Sequence, residues 1–280
     1  MSTTDPPFLT SPPAGVDSWL ASFQQRDIPV LAETTQAIAA LGANEDAVDA
    51  HTLAEAVSDD PLMVLKLLRH VAERRSARAQ TDVETVTAAI VLMGVPPFFH
   101  AFGGLPSIED RLANHPHALD GLQGVLARAR RAARFALGFA VHRLDHDAAV
   151  IHEAALLHDF AEMLLWIHAP ALAQEIARRQ LAEPSLRSVD VQRELLHVTL
   201  SDLQQALMKA WRLPELLVRI SDDHASTSPQ VRNVQLAIRV ARHSARGWDN
   251  PALPDDISDI AQLLNLGREP ALQLLHEIDD

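Results

Sequence analysis

AAVIHEAALLHDFAEMLLWIH, residues 148–168, sets Ile151, Ala154, His158, Ala161 and Leu165 on one stripe, at steps of three and four. That is the period of an α-helix with one buried face. The spacing predicts one helix over 148–168, with His158 facing a core and Asp159 one residue round, towards a neighbouring helix. Working outward, the same period recurs almost everywhere. Period-2 runs of β-branched residues are missing and glycine is scarce, with 10 in 280 residues. The chain reads as all-α.

The helix boundaries are marked by caps and breakers. Upstream of the quoted stretch lies a long arginine-rich helix, Leu122 to Arg143, and a Pro/His/Asn-rich loop, 106–119. Earlier, Asp60 is placed to cap exposed N–H groups and Pro61 suits a first turn, so a helix runs from Pro61 to Arg74. Thr81-Asp82 starts another, Gly94 ends it, and Pro96-Pro97 is read as preventing continuation. Ile28-Pro29-Val30-Leu31 leads into a helix that Gly42 stops. Downstream, Pro170 restarts a helix, Val189 to Trp211 makes one or two, and Leu213-Pro214 begins another. Val231–Ala245, Ser258–Leu264 and Pro270–Ile278 follow. The predicted division is a tail and lead-in helix at 1–25, a helical lobe at 26–105, and a second lobe at 106–280.

Composition narrows the function. A hydrophobic share of 48% over 280 residues suffices for a sizeable core. Cysteine is absent, which excludes disulfides, thiol catalysis and thiolate metal sites and suits a reducing cytoplasm. The net charge of −13 opposes contact with phosphate backbones, so nucleic-acid binding is disfavoured. No basic n-region or long apolar run marks a leader or a membrane span. Lys66 and Lys209 are the only lysines among 24 basic residues, a bias of GC-rich bacterial genomes.

Several local signals share an order. Ile28-Pro29 comes first, then Asp60-Pro61-Leu62 with Leu67-Leu68-Arg69, then Ala89-Ile90 with Met93-Gly94. Ala155-Leu156-Leu157-His158-Asp159 follows, and last come Trp211-Arg212-Leu213-Pro214 and Asp223-His224. In that order the chain, over roughly 27–247, resembles the HDOD family, a regulatory relative of the HD metal-dependent phosphohydrolases. The resemblance implies a multi-helix bacterial signalling module that works by binding other signalling proteins. It departs from the pattern at Ala161, where a Gly often stands, and at Leu200, where a His often stands. His70-Val71 replaces an Asn-Ser, and of the late paired histidines only His224 remains.

The related hydrolases hold metal with a lone His, the His-Asp pair and a distant Asp, and the metal lowers the pKa of an attacking water. Here the helix before the pair has no His until His142. Arg242 stands where the resemblance puts the distant Asp, and its fixed positive charge repels a cation. His158, Asp159 and Arg242 are therefore read as a degenerate HD motif, with no metal, no cofactor and no catalytic residue. His158 is expected to be a buried histidine satisfied by a hydrogen bond. Arg242 is expected to approach Asp159 and replace the metal's charge. The alternative is a phosphohydrolase acting on a nucleotide or cyclic dinucleotide.

Arg128, Arg130, Arg131 and Arg134 crowd one stretch of helix. They form either a patch for a ligand or acidic partner or a face neutralised by carboxylates elsewhere in the chain. His100, His115 and His117 read as ordinary loop histidines. His142 and His146 flank a turn. His152 and His168 are expected at solvent or at helix ends. The function expected is regulatory and non-catalytic, in the cytoplasm, with other signalling proteins or a second copy as partners.

Overall fold

The computed structural model describes residues 6–74, 83–183, 185–222 and 228–279. Its elements run α1 (Val16–Gln24), α2 (Ala32–Gly42), α3 (Ala50–Val57), α4 (Pro61–Arg74), α5 (Val86–Met93), α6 (Val95–Phe102) and α7 (Ile108–Arg111). They continue with α8 (Pro116–His142), α9 (Ala148–Leu156), α10 (Phe160–His168), α11 (Pro170–Ala182), α12 (Ser188–Leu196) and α13 (Leu200–Ala210). The last are α14 (Glu215–Ile220), α15 (Pro229–His243), α16 (Leu253–Leu264) and α17 (Arg268–Asp279). Among the described residues there is no strand, only two isolated bridges, so the all-α reading holds.

Three elements differ from the sequence reading. The helix expected over 148–168 is broken at Leu157, His158 and Asp159 into α9 and α10. Helix α5 ends at Gly94 as read, but Pro96 and Pro97 also open a further helix that the sequence reading did not place. They occupy the first turn of α6, where a missing N–H costs nothing, after Gly94 turns the chain at φ 83°. The 106–119 loop contains α7 and the first turn of α8. The start signal at Thr81-Asp82 and the Asp223-His224 pair lie outside the described residues.

The chain forms two compact units: 1–125 with 159–213, and 126–158 with 214–280. The boundary that the sequence suggested, between 105 and 106, falls inside the first unit. Sequence punctuation marks where helices stop, whereas which helices share a core depends on long-range packing.

In the first unit α1 packs on α13, α4 on α5, and α10 on α11 and α13. The core holds Trp19, Phe23, Leu62, Leu65, Phe98, Phe160 and Leu207, all buried. Trp19 donates its indole N–H to the Leu196 carbonyl at 2.9 Å, which satisfies its one polar atom. Gly121 in α8 lies against Trp166, and a Cβ there would fall 2.6 Å from the ring's Cζ2. In the second unit α15 packs on α9, α14 and α16, and α16 on α17, around Phe135, Phe139, Ile151, Val240 and Ile260.

Candidate functional site

The Asp-Pro-Leu signal sits on a buried junction. Asp60 is 2% exposed. Its Oδ1 accepts the N–H groups of Leu62 at 2.9 Å and Met63 at 3.2 Å, capping α4. Its Oδ2 accepts the N–H of Leu31 at 2.9 Å and the hydroxyl of Thr34 at 2.8 Å, tying down the start of α2. One carboxylate therefore holds two helix N-termini, whose dipoles favour its charge. Burial pushes its pKa up, against the pull of those four bonds.

The Ile28-Pro29-Val30-Leu31 segment is pinned on every side. Val30 donates to the Pro106 carbonyl at 3.1 Å and accepts from Ile108 at 2.8 Å. Lys66 reaches Asp27 at 2.6 Å and the Ile28 carbonyl at 2.9 Å. Glu109 accepts the Ala32 N–H at 2.9 Å. Two other signals also meet: the Arg69 guanidinium lies 4.8 Å from the centroid of the Trp211 ring, which stacks with Phe160 at 5.9 Å. The sequence showed Asp60 as a cap for α4. Its hold on α2 had no local signal.

His158 and Asp159 lie in the turn between α9 and α10 and are half-buried, so His158 does not face a core from mid-helix as expected. The division between the two units passes between them. Arg242 is exposed in the last turn of α15. His142 is exposed at the end of α8. Among the described residues, no three His, Cys, Asp or Glu side chains gather where they could hold an ion. By the resemblance, Arg242 stands where the HD hydrolases carry a further ligand, and a guanidinium has no lone pair to offer a cation.

On α8, Arg131 forms a two-pronged pair with Asp279 of α17, both N···O distances being 2.5 Å. Arg134 approaches the same carboxylate at 4.0 Å. Arg131 holds the Asp279 carboxyl below the usual carboxylate range. Arg131 is thus neutralised within the chain. Arg128 and Arg130 are half-buried and engaged in interactions.

His168 stands at a helix end, the last residue of α10, and is buried there rather than at solvent. It is 1% exposed, 5.9 Å from the Phe23 ring, and burial drives its pKa from 6.5 to about 3. It is a neutral imidazole at any physiological pH. A polar cluster that the sequence did not signal, half-buried around a fully buried Asp256, joins α15 to α16. Asp256, 0% exposed, takes Arg239 at 2.6 Å and His243 Nδ1 at 2.5 Å, and Arg239 also meets Asp259 at 2.9 Å.

These features define an all-helical protein with an HD-related core. The chain belongs to the HDOD family, whose domain model matches residues 28–227. Among solved structures, it is similar to the MmoQ response regulator of Methylococcus capsulatus, with a TM-score of 0.69 and 22% identity, over 89% of this chain and 98% of that one. It is also similar to a virulence factor of Campylobacter jejuni, with a TM-score of 0.66 and 16% identity, over 94% and 98% of the two chains. At these identities the likeness is one of fold. A search of curated proteins finds no match.

Proposed function

We propose that this chain is a non-catalytic regulatory module that binds other bacterial signalling proteins in the cytoplasm through an HD-related helical core. The carrying observation is the donor set around the HD motif. His158-Asp159 sits in a turn, and by the resemblance Arg242 stands at the position of the acid that completes the hydrolase site. A fixed cation at a ligand position opposes the charge that a divalent ion needs. MmoQ, which shares this fold, is named a response regulator, in keeping with such a role. No helix among the described residues is long and apolar enough to cross a membrane.

The test is elemental analysis of purified chain after exposure to Mn2+, Fe2+ and Mg2+ and desalting. Substoichiometric metal, unchanged in His158→Ala, is the expected result. One ion per chain, lost in His158→Ala, overturns this reading in favour of a metal-dependent phosphohydrolase.

A further inference from the structure

Residues 6–14 contain no helix, yet their first four residues are tightly held. The Pro6 carbonyl accepts from Arg111 at 2.9 Å and from Arg26 at 3.4 Å. The next carbonyl, Pro7, accepts from Arg26 at 2.8 Å. The Phe8 ring has the Arg111 guanidinium 4.2 Å from its centroid and the His115 ring edge-on at 4.7 Å. Leu9 donates its N–H to the His168 carbonyl at 2.8 Å. All of these partners belong to the first unit.

The receiving side is a slot built by four separate places: the residues after α1, α7, the turn before α8 and the end of α10. It offers guanidinium donors to two successive carbonyls, a cation-and-ring cradle to one aromatic side chain, and one carbonyl to the N–H that follows. The occupant matches position by position. Prolines at 6 and 7 carry no N–H that would need a partner, and they hold the chain extended before it binds. This resembles the way grooves elsewhere take proline-rich peptides, with little ordering cost.

We infer that the slot of Arg26, Arg111, His115 and the His168 carbonyl is a recognition site for an extended Pro-Pro-aromatic-aliphatic peptide. The chain's own Pro6-Pro7-Phe8-Leu9 fills it in cis, and a partner protein presenting the same sequence displaces it. Tethering gives the internal segment a high effective concentration, so the slot stays closed to weak competitors. A partner's apparent affinity is reduced by the fraction of chains in which the slot is open. The inference names a partner chemistry for the binding role proposed above. It is independent of that role's test, because a bound metal ion would leave peptide affinity unchanged and a failed peptide would leave metal content unchanged.

The test uses a synthetic peptide of residues 5–13, Asp-Pro-Pro-Phe-Leu-Thr-Ser-Pro-Pro, titrated into the full chain and into Phe8→Ala. Phe8→Ala frees the slot and is expected to bind the peptide on the order of tenfold more tightly than the unaltered chain. The same peptide with Phe replaced by Ala is expected to bind neither. Equal affinity for both chains, no binding to Phe8→Ala, or equal binding of both peptides overturns the inference. Should Phe8→Ala not fold, hydrogen exchange of the unaltered chain gives the answer. Saturating peptide is expected to speed exchange at the Leu9 amide by about tenfold or more, and unchanged exchange overturns the proposal.

Discussion

Asp60 shows how much one side chain can carry. Its carboxylate satisfies three backbone N–H groups and a hydroxyl in a site closed to water. Asp60→Ala removes a cap and strands the Leu31 N–H and the Thr34 hydroxyl, at an expected cost of about 3 kcal/mol or more. Asp60→Asn keeps one acceptor and should fall between. Urea denaturation reads the difference, and a loss below ~1 kcal/mol would rule out the double-cap role. His168 adds a pH dependence. It titrates near 3 in the fold against 6.5 in the open chain. Between those values the unfolded chain takes up a proton that the fold refuses. Its contribution is therefore complete above pH 6.5 and declines as pH falls towards 3, by roughly 2 kcal/mol at pH 5. Denaturation of the unaltered chain and of His168→Gln, at pH 7 and pH 5, checks this. The variant should lose about that much less on acidification, and equal losses would remove His168 as the cause. The sequence announced Asp60 by its place before Pro61. It left His168 ambiguous, because burial depends on what packs over a helix end.

At the scale of elements, the clamp between α15 and α16 follows the same physics. Asp256 is wholly buried and stands between Arg239 and His243. Asp256→Asn weakens both contacts while Arg239 keeps Asp259, so a cost of roughly 2 kcal/mol is expected, the range for bonds to a charged group. A thermal melt detects it, and an unchanged midpoint would show the cluster to be solvated. The break between α9 and α10 teaches a different lesson. Residues 148–168 have an unbroken helical period, yet the chain turns at 157–159. Periodicity reports which faces are apolar and is blind to a bend that keeps them buried. The helix that the prolines of α6 open was missed for a related reason. A proline pair is both a stop for one helix and a start for the next, and only the backbone at Gly94 decides between them.

For the whole molecule, the proposed metal-independent role leads to one simple expectation. A chain whose fold does not depend on a bound ion should melt at the same temperature with and without excess EDTA. A tightly held ion at 100 times its dissociation constant would instead add about 2.7 kcal/mol to stability, and chelation would lower the midpoint by several degrees. Differential scanning fluorimetry separates the two.

The sequence by itself determined the all-helical class, most helix starts and stops, and the family, because these rest on local period, caps and residue identity. Only the tertiary structure decided the two-unit partition, the second grip of Asp60, the burial of His168, the neutralisation of Arg131 by Asp279 and the seating of Phe8. Each of those depends on residues far apart in the chain being brought within a few ångströms. No local pattern encodes that distance. It is fixed when apolar faces from remote segments close on one core and the polar groups trapped beside them must find partners there.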